Sequence, residues 1–381
     1  MCLSLWRTGA ALLILLGFAI TLNAQSTGDW PQYRFDSARG GANPFENILS
    51  VSNVAGLKEK WTFATDGFVV SSPAVVNGVV YVPSGNGTFY ALSADTGGLV
   101  WKTRIVGTSS SPAVKNGIVY VGSGVDTGFF FALSAATGKI LWKTNTGGVA
   151  SSPTVVNGKV YVGAGHNNVL ALEASTGHIV WNTTLDSGVS SSPAFANNTV
   201  YIATQFGTVY ALNAATGRIR WKKTASFDAP IFGAVAVENG IVYVGGGDGG
   251  LYALDARTGD ILWVTAGAGG FAEIHCSPAV ANGVVYVGYN TGDVLAADAA
   301  SGAIVWTGDV HGIVDASPVV ANGVLYIASE DSHLYILDAA TGETLNQIDL
   351  SVFLSSPAVS KGSVYIGSFQ DKSVHAYDLG N

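Results

Sequence analysis

Residues 71–107 read SSPAVVNGVVYVPSGNGTFYALSADTGGLVWKTRIVG. This stretch is one unit of a repeat that runs through most of the chain. It parses into four short strands. Ser71 to Val76 is followed by the turn Asn77-Gly78, and Val79 to Pro83 by the glycine-rich loop Ser84 to Gly87. Thr88 to Ser93 is followed by the turn Thr96-Gly97, and Leu99 to Ile105 leads to the next copy. Asn-Gly between two apolar runs marks a tight hairpin, because both central positions of a type I′ turn need positive φ.

A forty-residue period with four strands per copy predicts propeller blades. Pro73, Pro112, Pro153, Pro193, Pro278, Pro318 and Pro357 mark the inner strands, with Val235 in the equivalent place of the remaining copy. The predicted fold is therefore all-β, an eight-bladed β-propeller of four-stranded antiparallel blades. Trp101, Trp142, Trp181, Trp221, Trp263 and Trp306 mark the outer strands, and Asn346 stands at the seventh such position. The eighth copy stops at Asp378 without an outer strand. The pattern Leu57 to Phe63 is an outer strand with no blade before it. Together these predict a ring closed by an N-terminal strand in the last blade, which also removes exposed edges.

The chemistry of the strands fits. Blades pack both faces against neighbours, so runs such as Val79-Val80-Tyr81-Val82 are continuously apolar. Small Ser-Ser-Pro segments suit the crowded centre. Tryptophan fills the wide periphery and is read as packing, not as a cofactor platform.

The domain reading is 1–24 as a signal peptide, 25–56 as an extended segment over the ring, anchored by Trp30 and Tyr33, and 57–381 as the propeller. Arg7 precedes the apolar run Ala10 to Leu22, and Leu22-Asn23-Ala24 is a cleavage pattern. Export to the periplasm or the cell exterior is the expected localisation. Cleavage would remove Arg7, taking the net charge from −8 to −9, and would leave Cys276 as the sole cysteine, without an intramolecular disulfide. Charged residues make up 12% of the chain, against a usual share of about 25%. Face-to-face packing accounts for this, since the remaining apolar runs are too short to span a bilayer. An acidic chain with no basic patch argues against nucleic acid. A monomer with no membrane span after cleavage is expected.

The recurring Ala211-Leu212-Asn213-Ala214-Ala215-Thr216-Gly217-Arg218-Ile219-Arg220-Trp221 pattern resembles the pyrroloquinoline-quinone (PQQ) repeat family, and the resemblance covers about residues 57–378. No Trp-Asp dipeptide closes a copy, so the blade is not of the WD type. Asp29-Trp30-Pro31 with Arg39 and Asn43 is similar to the segment that opens the propeller in several quinoproteins. The resemblance implies one of two functions. Quinoprotein dehydrogenases hold PQQ and calcium in the channel beside a catalytic Asp. Other eight-bladed members are non-catalytic assembly scaffolds, such as an outer-membrane assembly lipoprotein. This chain lacks the adjacent cysteine pair of many quinoprotein alcohol dehydrogenases, and no cysteine follows its apolar run for lipidation.

Other motifs reduce to structure. Gly245 to Gly250 matches a dinucleotide fingerprint but precedes a strand, so it lacks the helix N-terminus that would hold phosphate. Asp255, Asp298, Asp338 and Asp378 recur where turn capping is needed. No nucleophile elbow is present. His166, His178, His311, His333 and His375 read as surface or loop residues.

Loops between second and third strands, and links between blades, vary and share one face. Binding is expected there and at the channel mouth it surrounds. Three residues before the marker, the eight copies read Val70, Ser109, Ala150, Ser190, Phe232, His275, Asp315 and Leu354. His275 and Asp315 are thus equivalent positions on neighbouring blades. Glu273, on the same side of a strand as His275, and Asp228, on the preceding link, complete the candidate mouth cluster. A histidine among carboxylates can move a proton or hold a metal. The opposing reading is a hydrogen-bonded tie between two blades. The functional reading is a binding or assembly scaffold with a protein or small-molecule partner on the variable face. A PQQ-dependent oxidoreductase and a carbohydrate-binding module are the alternatives.

Overall fold

Every inner hairpin turns through a residue that tolerates the left-handed region. Asn77, Asn116, Asn157, Asn197, Asn239, Asn282, Asn322 and Lys361 all have φ between 47° and 52°, as type I′ turns require. These turns build eight blades in a computed structural model describing residues 27–107, 110–124, 128–149, 151–225, 229–266, 272–350 and 355–380. The signal-peptide reading falls on residues outside this set.

Blade 1 comprises Ala74–Val76, Val79–Pro83, Thr88–Ser93 and Leu99–Arg104, paired antiparallel in sequence order. Blades 2 to 7 repeat this plan through Asp349. Blade 8 takes three strands from Ala358–Asp378 and its outer strand from Lys58–Ala64. The closure expected from the two orphan ends is therefore present, with Trp61 opposite Ala376. No helix among the described residues is long and apolar enough to cross a membrane.

Two expectations need correction. The inner strands are three residues long, not six: Ser71 to Pro73 approaches the sheet without joining it. His375 is not a surface residue. It lies buried in the third strand of blade 8, with Nδ1 against Thr62 Oγ1 at 2.9 Å and Nε2 against Asp371 at 2.8 Å. The third strand is covered on both faces, so a polar side chain there must find partners within the blade.

Each outer strand locks onto the next blade. Trp101 Nε1 donates to Ala135 O at 2.8 Å, Trp142 to Ala174 and Trp181 to Ala214. Trp221, Trp263 and Trp306 repeat the bond. Each indole also covers the glycine of the neighbouring Thr-Gly turn. At Gly138 an added Cβ would lie 2.5 Å from the Trp101 ring. Asn346, which replaces tryptophan, donates instead to Val54 O. One residue before each tryptophan position the register shifts, as between Leu99 and Trp101. Such bulges keep exposed outer edges from pairing with another chain. Asp255 and Asp298 cap their turns, accepting from Thr258 N and Ser301 N at 2.8 Å.

The segment from Gly28 to Gly56 is a strap beneath the Asn-Gly face. It answers the inner strands one after another. The amides of Val75, Val114, Phe195, Val237, Val280 and Val320 donate to the carbonyls of Trp30, Pro31, Ser37, Ala38, Gly40 and Gly41. Val155 N reaches Gln32 Oε1, and Asn43 Nδ2 donates to Val359 O at 2.8 Å. Ala42–Asn43 adds a short parallel strand to blade 7, making its sheet five-stranded. The strap thus engages all eight blades, a closer fit than a tail resting on two aromatics. Trp30 is buried, and Asp29 pairs with Lys361 at 2.7 Å.

Candidate functional site

The Ser-Ser-Pro segments line the channel, and their second serines form a girdle. Ser72 N donates to Ser111 Oγ, Ser111 N to Ser152 Oγ, and Ser152 N to Ser192 Oγ, at 2.8–3.0 Å. Ala234 N, Ser277 N and Ser317 N continue to the hydroxyls of Ser277, Ser317 and Ser356. Ala234 alone contributes no hydroxyl. The first serines brace the second strands: Ser191 Oγ bonds both N and O of Ala203. Cys276 takes that position in blade 6, with Sγ 3.3 Å from Gly288 N and 3.4 Å from Gly288 O. Cys276 thus stands where blades 3, 4 and 8 carry Ser151, Ser191 and Ser355. Burial pushes its thiol up to about 11.

Below the girdle the strap plugs the channel. Tyr33 Oη lies 3.0 Å from Ser277 Oγ and 2.9 Å from Ser317 Oγ. Arg34 and Arg39 are fully buried. Arg39 donates to Pro193 O at 3.0 Å, to Ser152 O and Pro153 O at 2.8 Å, and to Tyr33 O. Arg34 donates to Pro278 O and Pro318 O. Burial lowers the pKa of both guanidinium groups, yet carbonyl acceptors favour the charged form, and arginine stays cationic. A side chain at Gly41 would collide with the Arg34 guanidinium, and its φ of +68° also favours glycine.

Above the girdle the channel opens to the loop face as a cavity of about 300 Å³. Tyr33 is its floor; Val70, Ser190, Phe232, Asp315 and Glu330 are in its wall and rim. His275 joins two of the residues expected beside it: Nδ1 lies 2.9 Å from Asp315 and Nε2 2.6 Å from Glu273. The Asp315 hydrogen bond, then Glu273, raises His275 to about 9 against the opposing effect of burial. Phe232 meets the imidazole edge-on, with ring centroids 4.8 Å apart. Glu273 and His275 lie on an extended link rather than in a strand. Their placement comes from Asn290, whose amide donates to Glu273 O while its Oδ1 accepts from Glu273 N. Asp228, Ser109, Ala150 and Leu354 lie outside the described residues.

Glu330 escapes the repeat-position reading because it sits in a loop between second and third strands. Its amide donates to Ile313 O, which ties it to the link carrying Asp315. Burial, then the nearby Asp315 charge, raises its pKa. The same loop-to-link bond recurs as Gly85 N to Phe68 O, Gln205 N to Gly188 O and Gly247 N to Pro230 O. The described loops of this face are consequently braced against their links.

The described residues of the mouth do not fit PQQ. That cofactor is a planar tricarboxylate and needs cations around it. Here the nearest arginines are spent on backbone carbonyls, and His275 is already flanked by two carboxylates. Asp315 and Glu330 would face the cofactor with like charge. No set of three or more His, Cys, Asp or Glu side chains among the described residues is arranged to hold a metal ion. Both nitrogens of His275 point at carboxylates.

Comparison with known proteins sets this geometry in a family. A family profile described as outer membrane protein assembly factor BamB matches residues 49–106, 85–191 and 165–381. The solved BamB of Moraxella catarrhalis superposes with a TM-score of 0.73 at 19% identity, over 84% of this chain and 97% of that one. A europium-containing methanol dehydrogenase gives 0.80 at 17% identity, over 93% and 98% of the two chains. A quinohemoprotein alcohol dehydrogenase from Comamonas testosteroni gives 0.79 at 17% identity, over 93% and 81%. At these identities the likeness is one of fold. Among curated proteins, a tetrathionate hydrolase from Acidithiobacillus ferrooxidans is 37% identical over 71 residues, 19% of this chain; the match spans 14% of that protein's length. The repeat, the closed ring and the profile agree, and the chain belongs to the PQQ-repeat family described as outer membrane protein assembly factor BamB.

Proposed function

We propose that this chain is an exported, non-catalytic scaffold that binds a protein partner on its loop face. The observation that carries this reading is the strap. It covers the Asn-Gly face and fills the lower channel with Tyr33, Arg34 and Arg39, so that among the described residues the channel is open toward the loop face. That face also exposes large apolar side chains: Phe206 is 67% exposed, Phe232 and Phe369 42%, and Ile313 39%. Exposed aromatics on a braced surface favour association with another protein. The apolar run Ala10 to Leu22 supports export.

Photo-crosslinking residues placed at Phe206 and at Lys139 test this in the native host. Lys139 lies beside the Thr-Gly turn of blade 2, on the opposite face. Partner adducts are expected from position 206 and not from 139. Adducts only from 139 would place the working surface on the wrong side for this reading. In parallel, purified protein is supplied with PQQ and calcium, and dye reduction is followed with simple alcohols. No turnover is expected, and quinone-dependent turnover would move the chain to the dehydrogenase branch.

A further inference from the structure

Charge is segregated around the ring. The chain has 26 Asp and Glu and 18 Lys and Arg. Residues 225–357, which form blades 5 to 7 and their links, hold 15 of those acids and, of the bases, only Arg257. Arg257 lies in a Thr-Gly turn, on the face away from the mouth. The loop face of blades 5 to 7 therefore presents carboxylates with no lysine or arginine among them. Glu273, Asp315 and Glu330 stand at the mouth, with Asp309, Asp331 and Asp349 further out. The basic side chains close to them are histidines. His275 lies between Glu273 and Asp315, His311 against Asp309, and His333 between Asp331 and Asp349.

This sector is also partly apolar, and the cavity it borders is partly unsatisfied. Phe232 and Ile313 are exposed within it. Across the cavity, on the link into blade 4, the Ser190 hydroxyl is buried without a hydrogen-bond partner. An unpaired buried hydroxyl is costly and is relieved by an incoming polar group. Carboxylates around a low-dielectric mouth concentrate cations there. A long basic side chain matches both features, since its stem packs on apolar surface while its head meets charge.

We propose that blades 5 to 7 dock a cationic segment of the protein partner, with one Lys or Arg side chain entering the mouth beside Asp315 and Glu330 and packing on Phe232. This rests on the scaffold reading above. It also explains how a ring of eight similar blades selects one direction of approach: the charge breaks the pseudo-symmetry. A second copy of this chain is a poorer occupant. Several of its bases are already paired, Lys60 with Asp378, Lys102 with Asp66 and Lys159 with Glu173.

The probe is a fluorescein-labelled eight-residue peptide alternating arginine and leucine, with a glutamate–leucine peptide as control. Binding to the purified protein is read by anisotropy at low and at roughly physiological ionic strength, where screening differs strongly. The arginine peptide is expected to bind and to weaken with salt. Asp315→Asn with Glu330→Gln is expected to reduce affinity roughly tenfold, a difference of about 1.4 kcal/mol, while Lys222→Ala on blade 4 leaves it unchanged. Thermal melting confirms that the variants fold. Equal binding by the glutamate peptide, unchanged affinity in the double variant, or no binding up to about millimolar peptide would each overturn the proposal. So would sedimentation showing a low-salt dimer that excludes the peptide, which would name a second copy as occupant. Crosslinks from Phe206 separate the two levels. If they form while the double variant holds the partner unchanged, only the charge inference falls. If none form, the scaffold reading falls with it.

Discussion

The indole of Trp61 donates to the carbonyl of Ala94 at 3.1 Å, although Trp61 completes the last blade and Ala94 belongs to the first. This bond is the repeat's ordinary blade-to-blade contact, made where the two ends of the ring meet. Tyr365 Oη reaches the same carbonyl at 3.3 Å.

Trp61→Ala removes a buried aromatic at that junction and is expected to cost about 3–5 kcal/mol. Deleting residues 25–64 removes strap and closing strand together and should abolish cooperative unfolding. Urea titration followed by tryptophan fluorescence reads both. A sharp, unshifted transition in the deletion variant would be incompatible with ring closure.

Arg39→Leu leaves the carbonyls of Tyr33, Ser152, Pro153 and Pro193 without their donor. A loss on the order of 3–5 kcal/mol is expected, since each stranded buried acceptor costs about 1–3 kcal/mol and some regain partners. Arg39→Lys should recover little, because an ammonium cannot span acceptors set around a planar fork. The denaturant midpoint of the two variants checks this, and a midpoint like that of the parent protein in Arg39→Leu would show the plug to be dispensable.

His275 has its folded pKa raised from 6.5 to about 9. A raised pKa stabilises the fold fully below pH 6.5, and that contribution disappears as pH rises through 9. The melting temperature should therefore decline between these values. In His275→Gln the decline should be smaller. NMR titration of the imidazole reports the midpoint directly, and a midpoint near 6.5 would contradict the charged tie to Asp315 and Glu273.

Cys276→Ser should be close to neutral. Serine at the equivalent positions 151, 191 and 355 already bonds the second strand in the same manner. In the folded parent protein the thiol should resist an alkylating reagent, because it is buried and its pKa is raised to about 11. Mass spectrometry after labelling with and without denaturant distinguishes the two states. Rapid modification of native protein would show that the girdle opens.

The ring was legible because its determinants are local and recur. Asn77-Gly78 fixes a hairpin from two residues, and the tryptophan at position 101 recurs in every copy but the one that carries Asn346. The pairing of His275 with Asp315 was legible for the same reason: aligned copies place equivalent residues side by side. The strap was not legible in detail. Trp30 and Tyr33 announced a docked segment, but most of its contacts use backbone carbonyls, which leave no residue signature. Arg39 was visible only within a resemblance and Arg34 carried no signal, because their partners are backbone carbonyls of distant blades. The serine girdle had a visible clue, since seven of eight positions hold serine where alanine would satisfy size alone. Glu330 was missed because its loop lies off the repeat position that revealed Asp315.

The closing strand has a consequence for biosynthesis. Lys58–Ala64 is made before any of the blade repeats, yet its partner, Ser373–Asp378, is made only after seven blades. Seven blades can form while the first and last interfaces stay open. A chain threaded through a membrane in an unfolded state would face the same delay on the far side. Translation errors that stop before Asp378 would leave Trp61, Phe63 and the cross-ring seam uncovered, a ready target for proteases and holding chaperones. The join therefore acts as a check on the ring: only a product translated through Ser373–Asp378 can cover the closing strand made before the first blade.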